Sequence, residues 1–173
     1  MKSALIIIDV QKFFINQYTK TIPGKIADFL NTKRDRFDFM VFTKFQNDPN
    51  SNWYKIMKWK KMTQNEETEL VSDLLPFARQ NYFFTKKAAF SIFRIKKFTD
   101  FLKKEKIIKL YICGLDTHAC VYVSVMEAFE RGYEVKLIED LCAASHGFDF
   151  HQNALKAIKH NLSSQIIIKS GEI

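Results

Sequence analysis

A chain of 173 residues, 47% hydrophobic and with seventeen phenylalanines, is long enough to bury a full core and is read as one domain over 1–173. Its three cysteines, Cys113, Cys120 and Cys142, are an odd set that argues against a disulfide framework and for a reducing, cytoplasmic compartment. The apolar run Ala4 to Ile8 stops at Asp9, too short for a membrane span or a signal-peptide core, and the net charge of +8 raises a nucleic-acid role that the lysine distribution must decide.

Ser3 to Val10 reads as a first strand, continuously apolar from Leu5 to Ile8 and so buried on both faces, with Asp9 ending it. A carboxylate closing such a strand is costly unless it is hydrogen-bonded or used. Pro23 suits the first turn of a helix that carries Ile26, Phe29 and Leu30 on one face. Phe37 to Lys44 is a second strand. The connection from Phe45 to Lys61, rich in polar and aromatic residues, is a binding lid or a surface excursion, of its own or a neighbouring subunit. Thr63-Gln64-Asn65-Glu66 has the form of a capping box opening a helix through Leu70, Val71, Leu74 and Leu75. Asn81 to Thr85 is a short third strand with Lys86 and Lys87 at its end, followed by a helix from Phe93 to about Glu105.

That helix holds the densest positive charge. Phe98, Phe101 and Leu102 share one face and leave Lys96, Lys97, Lys103 and Lys104 mostly on the other. The pattern is that of an amphipathic helix with a solvated outer side, and no nucleic-acid motif accompanies it. The expectation is therefore a small-molecule substrate as partner, with no nucleic acid and no membrane.

Ile107 to Ile112 is a fourth strand, turning at Gly114 into a helix from about Thr117 to Gly132. Tyr133 to Glu139, a helix from Phe148 to His160, and Ser164 to Lys169 complete the chain. Six strands alternating with helices predict an α/β fold, a doubly wound six-stranded parallel sheet in the order 3-2-1-4-5-6 with helices on both faces. Ligands collect where that winding reverses, outside the carboxyl ends of strands one and four. Asp9 ends the first of these and Cys120 follows the second, in the first turn of a helix whose unpaired N–H groups favour a thiolate. A lysine after strand three lies on the same edge, so a nucleophile, a proton acceptor and a cation converge. Thr117 is expected to cap the helix and Asp140 to serve structure.

The segment Gly114-Leu115-Asp116-Thr117-His118-Ala119-Cys120-Val121, continuing through Ala128 and Arg131-Gly132-Tyr133 to Asp140, resembles the signature of the isochorismatase-like cysteine hydrolases, which include nicotinamidases and related amidases. Leu5-Ile6-Ile7-Ile8-Asp9-Val10-Gln11 and Lys87-Ala88-Ala89-Phe90-Ser91-Ile92-Phe93 agree in order and spacing. The resemblance implies an Asp9–Lys87–Cys120 triad cleaving a C–N bond of a small carboxamide through a thioester on Cys120. Lys87 is preferred to Lys86 because it gives the spacing K-x-x-x-S-x-F to Ser91 and Phe93. The resemblance further implies an oxyanion hole from the backbone N–H groups of Asp116 and Cys120, a cis peptide between Leu115 and Asp116, and a homo-oligomer. Nicotinamidases carry an Asp-x-His metal motif after strand two, where this chain reads Lys44-Phe45-Gln46-Asn47, so no metal and no cofactor are expected. Phe14, Phe93 and an aromatic between Trp53 and Trp59 are candidates for an apolar substrate wall. The alternatives are a Cys–His hydrolase using His146 or His151, and a non-catalytic protein that binds a small ligand or a partner on the same fold.

Overall fold

The computed structural model describes the backbone of residues 1–173 and every side chain except that of Asn65. Six parallel strands form one sheet in the order β3-β2-β1-β4-β5-β6. They are β1 (Lys2–Ile8), β2 (Phe39–Gln46), β3 (Tyr82–Lys87), β4 (Ile107–Gly114), β5 (Glu134–Cys142) and β6 (Ile167–Ile168). The predicted order is the observed one. Because successive side chains of a strand point to opposite faces, the complete burial of Leu5, Ile6, Ile7 and Ile8 means that both faces of the sheet are covered.

The covering helices arise where the apolar spacing placed them. Helix α1 (Ile22–Lys33) has Pro23 in its first turn and buries Ile26, Phe29 and Leu30. Helix α5 (Lys96–Lys104) buries Phe98, Phe101 and Leu102, leaving Lys96, Lys97, Lys103 and Lys104 exposed. It begins three residues later than expected because Ile92–Arg94 first makes a separate tight turn, capped by Ser91 Oγ accepting from Phe93 N. Helix α6 (Tyr122–Glu130) is preceded by a wide π-helical turn over Thr117–Val121, and α7 (Phe148–Asn161) matches its prediction to within a residue.

The predicted helix after Thr63 does not form as one piece. Between β2 and β3 lie three single-turn helices, α2 (Asn52–Lys55), α3 (Asn65–Thr68) and α4 (Leu75–Ala78). Among the described residues no capping box forms here: Gln64 occupies the cap position without a side-chain bond, while the Asn65 side chain lies outside the described residues. Leu70 instead pairs with Gln11 in an isolated antiparallel bridge, which holds this stretch extended. Pro76 sits in the first turn of α4.

Two backbone features shape the crevice at the carboxyl ends of β1 and β4. Asp9 leaves β1 with φ +49, a left-handed conformation that non-glycine residues adopt at a cost of about 1–3 kcal/mol. Gly114 has φ +118 and lies so near β1 that a Cβ would stand 2.2 Å from the Ile8 carbonyl oxygen. Glycine thus lets the chain after β4 run against β1, where Leu115 N donates to Ile8 O at 2.8 Å. The Leu115–Asp116 peptide is cis.

Candidate active site

Asp9, Lys86 and Cys120 meet in the crevice between β1 and β4. The Asp9 and Lys86 side chains are 0% exposed and form an ion pair, Nζ to Oδ2, of 2.5 Å. Thr43 Oγ1 donates to the other carboxylate oxygen at 2.7 Å, and Lys86 Nζ also donates to Phe90 O at 2.8 Å. The Cys120 thiol is close enough to both Asp9 and Lys86 for each to act on it, Lys86 lowering its pKa and Asp9 raising it. An ammonium has three protons to give; one goes to the Phe90 carbonyl, and the carboxylate stands against the same nitrogen.

The lysine is Lys86, not Lys87. Strand β3 runs two residues further than its apolar run, with Lys86 opposite Phe45 and Lys87 opposite Gln46 of β2. Alternation then turns the two lysines to opposite faces, Lys86 buried and Lys87 exposed. Ala88, at φ +43 with its N–H bonded to Gln46 O, bends the chain out of the sheet before Ser91. Counting back from Ser91 therefore selected the outward neighbour. Ser91 itself holds scaffold together, donating to Glu127 of α6.

Burial pushes the Cys120 thiol well up, Lys86 opposes that, and Asp9 adds to it. Burial therefore favours the protonated thiol at rest. For Lys86, burial works against the ammonium, but the Asp9 carboxylate beside it outweighs that and raises its pKa. A protonated amine therefore stands beside the sulfur throughout the neutral range.

Above this cluster is a cavity of about 550 Å³ that reaches Cys120. Phe13, Phe14, Phe45, Trp53, Trp59 and Phe90 supply its apolar wall, while Asp116, His118, Ser145 and His146 supply a polar one. Phe14 is part of that apolar wall. Phe93 is not: it packs in the core against Phe98 and stacks on Tyr133, with the Arg131 guanidinium over its ring. The Phe45–Lys61 connection folds over the chain's own cavity, Trp53 meeting Phe90 at 5.0 Å and Trp59 meeting Phe13 at 6.0 Å.

Asn47 holds that connection. Its amide donates to Trp59 O and Lys61 O, and its carbonyl accepts from Asp48 N and Ser51 Oγ. Asn47→Ala is expected to cost about 1–3 kcal/mol by orphaning these groups and to speed limited proteolysis between Asp48 and Lys61. Unchanged cleavage would show that the aromatics alone keep the lid shut. Since Lys44 is a cation and the Asn47 amide is fully engaged, the place after β2 does not suit a metal ion.

Other side chains tie the loops of the crevice together. Gln11 is buried, its amide donating to Phe45 O and Thr68 O and accepting from Phe45 N, so it ties the end of β2 and α3 to the turn after Asp9. Asp116 accepts from Ser145 N and Ser145 Oγ, joining the turn after β4 to the loop after β5. Thr117 Oγ1 contacts His151 Nδ1 at 2.8 Å and makes no helix cap, which keeps His151 engaged away from the sulfur. Asp140 has the structural part expected, accepting from Ser170 N and Oγ, although what it fixes is the C-terminal segment. No described helix is long and apolar enough to cross a membrane.

The profile of the isochorismatase domain family matches residues 3–168. Among solved structures, an isochorismatase-like hydrolase from Alkaliphilus metalliredigens superposes with a TM-score of 0.85 at 18% identity, covering 99% of this chain and 97% of that one. A nicotinamidase from Bacillus subtilis gives 0.81 at 21% identity, covering 93% and 96%. The N-carbamoylsarcosine amidase from Thermoplasma acidophilum gives 0.80 at 22% identity, covering 100% and 99%. Identities this low establish a shared fold. The isochorismatase family protein YddQ of Bacillus subtilis (strain 168) is 36% identical over 44 residues, 25% of this chain and 24% of that protein's length.

Proposed function

The chain belongs to the isochorismatase family, and from that premise we propose that it is a cysteine-dependent hydrolase of the C–N bond in a small, planar carboxamide. The observation that carries this reading is the buried meeting of Asp9, Lys86 and Cys120 under a cavity with one aromatic and one polar wall. A buried ion pair contributes little to stability over a well-packed apolar replacement. Its place against a cysteine at the floor of a cavity favours chemistry.

The resting thiol is neutral, so the nucleophile is made only as it reacts. Asp9 takes the Cys120 proton while sulfur bonds to the carbonyl carbon and the C=O electron pair moves onto oxygen. The backbone N–H groups of Asp116 and Cys120 receive that oxyanion, donors of this kind being worth roughly 3 kcal/mol each. Collapse reforms the carbonyl and breaks the C–N bond, Asp9 returning its proton to the departing nitrogen. Water then gives a proton to Asp9 and attacks the thioester, and expulsion of sulfur yields the acid, with the proton passing back to Cys120. Lys86 stays an ammonium and balances the negative charge that passes between Asp9, sulfur and oxygen. Aromatic side chains in the wall suit a flat apolar body, and the polar wall suits its heteroatoms.

The test is ammonia release from a panel of small aromatic and aliphatic carboxamides, wild type beside Cys120→Ala. Release by the wild type that vanishes in the variant is expected. Equal release by both would remove Cys120 as the nucleophile, and ligand binding with no release from any amide would leave a binding protein on a hydrolase fold.

A further inference from the structure

The polar wall of the cavity holds three side chains that take no part in the bond-making and bond-breaking steps of the proposed hydrolysis. Asp116, His118 and His146 bring one potential ligand atom each to within 4.8 Å of the others. They come from the turn after β4 and the loop after β5, which Ser145 locks together by donating to both Asp116 carboxylate oxygens. A carboxylate has about four lone-pair positions, so Ser145 orients it and leaves acceptor capacity free. His118 Nδ1 is buried without a hydrogen-bond partner among the described residues, a condition that is costly for a polar atom unless something else fills its valence. The imidazoles of His118 and His146 meet edge to face at 5.1 Å, with Phe150 against both.

We propose that Asp116, His118 and His146 form a binding site for a first-row divalent cation such as zinc on the wall of the Cys120 cavity. Two imidazoles and one carboxylate are a donor set for such ions, and three protein ligands leave a position open. Bonds of about 2.0–2.2 Å hold donors roughly 3.5 Å apart, so the three side chains would have to draw in, and His146 is exposed. The open position faces the cavity, so the ion would accept a substrate oxygen or nitrogen there. This site stands on the β4 and β5 side of the crevice, apart from the place after β2 that Asn47 occupies.

The proposal does not depend on the hydrolase reading, and its test reads no activity. Metal-stripped protein is dialysed to equilibrium against zinc and the bound metal is counted by mass spectrometry, for the wild type, Cys120→Ser, His118→Gln and His146→Ala. One zinc per chain is expected in the wild type and in Cys120→Ser, with binding at least about tenfold weaker in either histidine variant. A zinc-dependent rise in Tm should appear in the first two proteins and not in His146→Ala, whose exposed position keeps the fold out of question. Zinc lost with the thiol, zinc retained undiminished by His146→Ala, or none held by the wild type would each overturn the proposal.

Discussion

Replacing Lys86 by methionine is expected to cost about 3–5 kcal/mol of stability, because the Asp9 carboxylate is then buried without its cation. Thr43 remains as a donor to Asp9, but a hydroxyl carries no compensating charge. Lys87→Ala should stay within about 0.5 kcal/mol, since that side chain is exposed. Urea denaturation of the two variants decides the assignment in one comparison. Asp9→Asn combined with Lys86→Met should regain much of the loss, a buried neutral pair being tolerated where a lone charge is not. Should Lys87→Ala prove the damaging change and Lys86→Met the mild one, the geometry of β3 described above would be wrong. Activity is expected to follow the same division, lost with Lys86 and kept with Lys87.

The contrast between these neighbouring lysines shows what the sequence could and could not express. The apolar run Leu5 to Ile8 and the spaced residues Phe98, Phe101 and Leu102 carry their own periodicity, and with them came the strand order and the convergence of Asp9 with Cys120. Lys86 carries no such signal, because its inward direction depends on how far β3 continues past Thr85. That continuation is set by pairing with Phe45 and Gln46 of a distant strand. Phe93 failed for a related reason: its side of the chain is chosen by the separate turn Ile92–Arg94, which ties Ser91 to α6. The grouping of Asp116 with His118 and His146 joins two loops about thirty residues apart, a contact that local pattern does not encode. The state of the Cys120 thiol is likewise a matter of burial, which the order of residues does not display.

Cys120→Ala is expected to lower amide hydrolysis by at least about 10³-fold while leaving the fold intact, since a nucleophile removed from a set that acts together takes most of the acceleration with it. Alanine fills most of the volume of a small buried thiol, and Asp9 and Lys86 keep each other as partners. The loss should therefore fall on kcat, with substrate still held by the aromatic wall of Phe14, Trp53 and Trp59. The claim beneath this expectation, that sulfur bonds to the acyl carbon, is open to direct observation. Wild-type protein mixed with an amide identified from the panel, quenched in acid during the first turnovers and digested, is to be read by mass spectrometry. The account predicts the mass of the acyl group on the peptide carrying Cys120 and none on that peptide when residue 120 is alanine; steady turnover with an acyl group on another residue, or with Cys120→Ala as active as the wild type, would contradict it.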